Sequence, residues 1–349
     1  MARWQYFDAP PGVSADTMLL LTDGSVLVHD ANDAAHASGT GTCRRDWYRL
    51  TPDEAGRYRT GRWSRALPMA TGRLYFATGV LADGRVYAVG GEVADGFGDD
   101  KCFLGEIFDP RAGTSGAWGP MYKPSPGYDF IAGDCSSMVL ADRRVLFAGN
   151  PSGSRTAIWN PVADPPNPHW VEAGLDSAGA QTKVGVNNEE TWTLLPSGNV
   201  LTVQITGAAG ATGTRSAEQY VPSINQWVSA GYTTQDLVVG EIMGHVSHEI
   251  GPAILLPSGK VIAIGGNGRT EIYTPGPDPE QPGTWSAGPH MPADPGNPYF
   301  SRGVPDRARR PRGLAARRQG HLHRRGHQAR ARPACRVGLL VRPDPVPGV

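Results

Sequence analysis

The stretch Tyr75-Phe-Ala-Thr-Gly-Val-Leu-Ala-Asp-Gly-Arg-Val-Tyr-Ala-Val-Gly-Gly91 decides the fold. Residues 76–81 form an apolar run with small residues, and residues 85–89 form a second. Between them Asp83-Gly84 is a two-residue hairpin signal, because glycine tolerates the positive φ that such a turn requires. Glu106-Ile107-Phe108 gives a third strand, which stops at Asp109-Pro110, where proline has no amide for a ladder. Trp118 lies on a fourth strand. Four antiparallel strands with this punctuation make one propeller blade.

The same grammar runs along the chain. Trp4, Trp63, Trp118, Trp170, Trp227 and Trp285 are separated by 59, 55, 52, 57 and 58 residues. Five turns centre on Asp23, Asp83, Asp142, Ser197 and Ser258, each between apolar runs. An aromatic-x-Pro signature recurs at Phe108-Asp-Pro110, Trp159-Asn-Pro161, Tyr220-Val-Pro222 and Tyr273-Thr-Pro275, with Leu50-Thr-Pro52 in the first copy. A fixed period of this length means one unit copied several times. The tryptophans and tyrosines are then apolar wedges, since each blade buries its faces only against the next. They are not a stacking platform for nucleic acid.

These residues resemble the kelch repeat, with its apolar strand, Gly-Gly doublet, and Tyr and Trp at fixed offsets. Gly90-Gly91 with Phe108 and Trp118 fits, as does Gly265-Gly266 with Tyr273 and Trp285. His29-Asp30, Gly149-Asn150 and Gln204-Ile205 replace the doublet elsewhere. Over residues 4–290 the chain is similar to a bacterial kelch protein like the central propeller of galactose oxidase. The expected fold is all-β, a propeller over residues 1–300 with five recognisable four-stranded blades and a sixth incomplete. Trp4 precedes its turn in phase with Trp63, so residues 3–9 are expected to complete a blade beyond residue 295.

Residues 301–349 break the pattern. From residue 302 onward there are 13 arginines, no lysine, two acids and no aromatic. That segment carries about +11, which leaves about −11 on the rest of a chain of zero formal charge. It is a basic arm, an ordinary disordered terminus, or an out-of-frame reading of a GC-rich gene. The abrupt change near Ser301 and the arginine without lysine favour the last. Without those strands, blades one and five have exposed flanks, open to oligomer contacts or aggregation. No apolar run is long enough to span a membrane. The start, Met-Ala-Arg-Trp-Gln-Tyr-Phe-Asp, has no signal-peptide core, so a cytoplasmic location is expected. Cys43, Cys102, Cys135 and Cys335 lack metal-ligand spacing. Cys43 and Cys102 share a phase in adjacent blades, as thiols or as a disulfide.

Chemistry is expected where inner strands begin at one channel mouth. Aligned on the turns, one column holds Asp16, Phe76, Cys135, Glu190 and Gly251, and its neighbour holds Ala15, Tyr75, Asp134, Glu189 and Ile250. Asp16, Asp134, Glu189 and Glu190 converge in this register, with His248 and Glu249 just outside and Arg73 and Tyr75 within reach. Crowded carboxylates bind cations, accept sugar hydroxyls or act as acid and base, and they also serve as a plain solvated rim. His245-x-x-His248-Glu249 lacks the order of helical zinc hydrolases, and Gly207–Gly213 lacks the Gly-Lys-Ser/Thr of a phosphate loop. The galactose-oxidase resemblance implies two tyrosines, two histidines and a tyrosine-linked cysteine around copper. No Tyr-His pair occurs here, so neither copper nor another cofactor or metal is expected. Sugar mutarotases among kelch propellers use Glu and Arg, parts that Glu189, Glu190 and Arg73 suit as catalytic candidates. The leading expectation is a non-enzymatic scaffold that binds a protein or glycan at one mouth, with no nucleic acid on the acidic propeller. The alternative is a carbohydrate-active enzyme on the same acidic mouth.

Overall fold

The computed structural model describes residues 3–8, 10, 12–31, 43–91, 93–95, 104–121, 135–149, 153–163, 169–187, 189–205, 215–238, 241–242, 245–246, 250–289, 291 and 336–341. Among these residues there is no helix. Five four-stranded antiparallel sheets are arranged as a β-propeller. Blade 1 comprises Ala15–Leu20, Val26–Asp30, Trp47–Thr51 and Arg62–Arg65; blade 2 comprises Ala77–Val80, Val86–Val89, Gly105–Asp109 and Ala117–Pro120. Blade 3 comprises Ser137–Val139, Val145–Ala148, Thr156–Trp159 and Trp170–Ala173. Blade 4 comprises Trp192–Leu194, Val200–Val203, Ser216–Val221 and Gln226–Tyr232; blade 5 comprises Ile250–Leu255, Val261–Gly265, Thr270–Thr274 and Thr284–Ala287. The first strand of each blade is innermost, and these inner strands touch in the order 1, 2, 3, 4, 5.

The turns between inner and second strands differ from the two-residue form that Asp-Gly suggests. In blade 1, Gly24 N donates to Leu21 O at 3.0 Å and Leu21 N donates to Ser25 O at 2.8 Å. The loop therefore has three residues, and only its last, Gly24, has positive φ (80°). This is a type I turn followed by a left-handed residue. Gly84, Gly198 and Gly259 repeat it, and Arg143 takes the same conformation (φ 73°) in blade 3. Asp83 and Asp142 cap their turns by accepting from the amides of Arg85 and Arg144, both at 3.0 Å.

A facing rule follows from the pleat, because successive side chains point to opposite faces of a sheet. The residue three before each turn faces the preceding blade. Val80, for example, lies across from Val86, Phe108 and Trp118, and all four pack in the blade 1–blade 2 core. The residue four before the turn faces the following blade: Met138 pairs with Leu146 and Ile158 in the core shared by blades 3 and 4. The outer-strand tryptophan always faces backwards. Trp118 Nε1 donates to Leu67 O at 2.9 Å, Trp227 Nε1 to Thr156 Oγ1 at 3.2 Å, and Trp285 Nε1 to Ala230 O at 2.9 Å. Each acceptor belongs to the segment before the blade that carries the tryptophan. Across its own sheet the tryptophan meets an aromatic: Phe108–Trp118 centroids lie 5.2 Å apart, Tyr220–Trp227 5.6 Å and Tyr273–Trp285 4.9 Å. In blade 1 the partner of Trp63 is Leu50.

The N-terminal strand Arg3–Asp8 pairs antiparallel with Arg336–Val341, from Arg3 opposite Val341 to Asp8 opposite Arg336. Its partner thus lies far downstream, as the phase of Trp4 suggests, and the described ribbon has two strands. Of the remaining tail, residues 301–335 and 342–349 lie outside the described residues.

The facing rule makes a comparative prediction. Trp227 is buried between blades 3 and 4, whereas Trp63 is half-buried on a face with no described neighbour. Trp227→Ala should cost about 3–5 kcal/mol of unfolding free energy, the range for deleting a buried aromatic. Trp63→Ala should cost clearly less, and urea unfolding of the two variants side by side measures the difference.

Candidate functional site

Every blade runs its inner strand in the same sense, so the residues that begin those strands meet at one mouth of the channel. There the backbone is irregular in four of the five blades. Tyr75 has φ 52° and Glu189 has φ 48°, left-handed values that residues with a Cβ rarely adopt. These two occupy the same turn-aligned column. In blades 1 and 5 the inner strand is instead disrupted just after that column, between Ala15 and Met18 and between Ile250 and Ala253. Tyr75 is 56% exposed. Glu189 is half-buried. Asp134, in the same column of blade 3, lies outside the described residues, as do His248 and Glu249.

Buried glutamates hold the loops that carry these residues. Glu106 accepts from Ala70 N at 2.6 Å and Thr71 N at 3.1 Å. Glu218 accepts from Val184 N at 2.7 Å and Gly185 N at 3.1 Å. Glu271 accepts from Thr234 N at 3.2 Å and Gln235 N at 3.1 Å. In each case a glutamate on the third strand grips two consecutive amides of the loop leading into its own blade. A buried carboxylate is stable there because the amide donors replace its water. All three glutamates stand two residues before the third-strand aromatic, in Glu106-Ile-Phe108, Glu218-Gln-Tyr220 and Glu271-Ile-Tyr273. That spacing was the visible signal for these residues.

Arg73 belongs to this internal framework. The sequence put it within reach of the mouth, but the structure puts its side chain at 0% exposure. Its guanidinium donates to Gly90 O at 2.8 Å, Leu104 O at 2.9 Å and Glu106 Oε1 at 2.8 Å. Glu190 is likewise buried. It takes Lys183 Nζ at 3.0 Å on one oxygen and Trp192 Nε1 at 3.2 Å on the other. Lys183 also donates to Gly185 O at 2.8 Å, stands 3.8 Å from Glu218 and lies 5.4 Å from the Trp227 ring. Burial pushes the Glu190 carboxyl above its usual range, with Lys183 and Trp192 pulling the other way. Lys183 and Glu218 were not among the expected site residues. Of the adjacent pair, Glu190 thus points into the protein, and Glu189 is half-buried with its Oε2 below the surface.

In blade 1, Asp16 Oδ1 lies 3.2 Å from Nδ1 of the buried His29, whose Nε2 lies 3.3 Å from Arg44 O. Trp47 and Phe76 wall the imidazole at 5.0 and 5.2 Å. Asp16 stays partly open to solvent. Cys135 Sγ donates to Gly149 O, and Ser136 Oγ donates to Glu190 O. Cys43 is a free thiol, raised to about 11 by burial and by Asp95; Cys102 lies outside the described residues. Among the described residues no three His, Cys, Asp or Glu side chains gather as metal ligands. His29 is engaged by Asp16 and Arg44 O, and His169 Nδ1 lies 2.9 Å from Asn160 O.

The fold and mouth define a five-bladed β-propeller. No protein-family model matches the sequence, and no curated protein does. Solved structures match in shape. A fungal alcohol oxidase of the AA5 family, in complex with copper, aligns with a TM-score of 0.50 and 16% identity over 82% of this chain and 55% of its own. A catalytically inactive virginiamycin B lyase from Staphylococcus aureus, with quinupristin, aligns with a TM-score of 0.50 and 10% identity over 84% of this chain and 76% of its own. The chain thus spans about half the length of the fungal enzyme. At these identities the likeness shows the fold alone.

The buried ion cluster yields a pH-dependent prediction. Lys183→Met should destabilise the protein by about 3–5 kcal/mol at neutral pH, because it strands a buried carboxylate. Glu190 has a raised carboxyl pKa, so its ionisation opposes folding as pH rises through that value. The cost of Lys183→Met should therefore shrink as the pH is lowered from neutral to mildly acidic, because taking up a proton removes the stranded charge. Denaturant midpoints of wild type and variant at the two pH values test this.

Proposed function

We propose that the protein is a non-enzymatic kelch-type propeller that binds a carbohydrate at the channel mouth carrying Tyr75, Glu189 and Asp16. One observation carries this reading. The two groups best suited to acid–base work, Arg73 and Glu190, are consumed inside blades 2 and 4, while Tyr75 is exposed on a strained backbone. Strain of about 1–3 kcal/mol at a non-glycine residue persists only where the surroundings over-determine it, and such residues cluster at binding sites. A tyrosine ring gives an apolar face with a polar handle. Asp16 and Glu189 give acceptors for hydroxyl donors. Binding here requires no resident cofactor.

The test separates binding from stability. Tyr75→Gly should remove the left-handed strain and leave the fold equally stable or more stable by about 0.5–1 kcal/mol. It should also lower affinity for the bound glycan at least tenfold, a loss of about 1.4 kcal/mol. Titration calorimetry against a ligand identified on a glycan array reads the second effect, and urea unfolding reads the first. Undiminished glycan binding by Tyr75→Gly, or turnover of a sugar that Glu190→Gln abolishes, would overturn the reading.

A further inference from the structure

His29 is fully buried on the second strand of blade 1, and both of its ring nitrogens face oxygens that accept. Nδ1 lies 3.2 Å from Asp16 Oδ1, and Nε2 lies 3.3 Å from Arg44 O. A neutral imidazole carries one N–H and one lone pair, so it can serve one of these oxygens at a time. Arg44 O has no proton to give. Asp16 Oδ1 already accepts from Thr17 N, so it acts as an acceptor toward the ring as well. Both contacts therefore hold together only when the ring carries a proton on each nitrogen. The two oxygens also belong to different parts of the mouth. Asp16 begins the inner strand of blade 1. Arg44 O accepts in addition from Arg73 N at 3.4 Å, just ahead of Tyr75 at the start of blade 2. Phe76, next after Tyr75, meets the imidazole edge-on at 5.2 Å, and Trp47, opposite His29 on the third strand, lies against it at 5.0 Å. One ring thus joins the starts of two inner strands. The other charged groups around it are engaged elsewhere. Asp30 accepts from Ser14 N at 2.9 Å, and Asp95 accepts from Cys43 N at 2.7 Å. The Arg44 guanidinium stands 3.8 Å from Asp46, and that of Arg73 donates to Glu106.

We infer that His29 is the positioning residue of the channel mouth: with two ring protons it locks Asp16 and the approach to Tyr75 into one unit, and giving up one proton releases the lock. A neutral ring must turn its lone pair either on the Asp16 carboxylate or on the Arg44 carbonyl. Either way an acceptor faces an acceptor with no water to intervene, and that contact is lost. The proton on His29 therefore decides whether the two strand starts are held in register with each other. His29 in this way fixes two of the groups that the carbohydrate reading uses, and its purpose rests on that reading. The proton coupling itself is measured without a ligand, so the two can fail separately.

Nitrogen-15 NMR of the full-length chain over a pH series tests this. Near neutral pH the His29 ring should show two protonated nitrogens, and one should lose its proton as the pH is raised. The amides of Thr17, which donates to Asp16, and of Arg73, which donates to Arg44 O, should shift along the same curve with the same midpoint. His29→Gln should remove that curve from both amides. Asp16→Asn changes a partly exposed side chain, so near-UV circular dichroism should show it folded even if the buried substitution is not tolerated. It should move the midpoint of the His29 ring and of the Arg73 amide together to lower pH by about one unit, the size of an adjacent-charge effect. Three outcomes would overturn the inference. The wild-type ring could show one bare nitrogen near neutral pH. The Thr17 and Arg73 amides could follow a midpoint other than that of His29. Or Asp16→Asn could leave the His29 midpoint where it was.

Discussion

A propeller blade is a sheet with two apolar faces, and a sheet cannot bury either face by itself. Everything else in this molecule answers that constraint. The neighbours supply the cover, and the pleat decides which residue goes to which neighbour. One column looks back and the next looks forward, and the outer-strand tryptophan ties the backward face by donating its indole N–H to the segment before it. Stability in such an array is nearly a sum of nearest-neighbour contacts. Among the described residues, the blades at the ends of the row are held on one side only.

The mouth is shaped by a second device, electrostatic where the first is apolar. Glu106, Glu218 and Glu271 are fixed in the third strand and reach into the loop ahead of their blades. Once two amides are clamped, the following residues have little freedom, and the chain passes through a left-handed residue to reach the inner strand. This sequence of events occurs twice, ahead of Tyr75 and ahead of Glu189. The clamp thus supports the strain, and the strain sets the backbone at the start of two inner strands. Lys183 and Arg73 reinforce the clamps from the same loops, each with a carboxylate partner.

Much of the architecture was legible because propeller grammar is local. Strand, turn, strand, proline stop and tryptophan all lie within one period, so blade number and strand order followed from spacing. Two details were not. The Asp-Gly dipeptide does not distinguish a two-residue loop from a three-residue one, since both need a left-handed glycine; the register of Leu21 with Ser25 decides it. Among site residues, alignment put Tyr75, Glu189 and Asp16 at the inner-strand starts but gave no burial. Arg73 and Glu190 stand beside them in sequence yet point inward, because their partners, Glu106 and Lys183, come from segments that one-dimensional spacing does not bring together. The Glu-x-aromatic triplets carried that information in plain view.

The glutamate clamp also bears on how such chains enlarge. Each carboxylate and both amides it holds fall between the end of one blade and the end of the next, so the stretch from the connecting loop to the outer strand is chemically self-sufficient. A duplication that copies this stretch carries its own lock with it, whereas one framed on the sheet alone leaves a buried acid facing a foreign loop. Modular growth by gene duplication is thereby biased toward cut points just after an outer strand, such as that ending at Tyr232, ahead of the clamped Thr234 and Gln235.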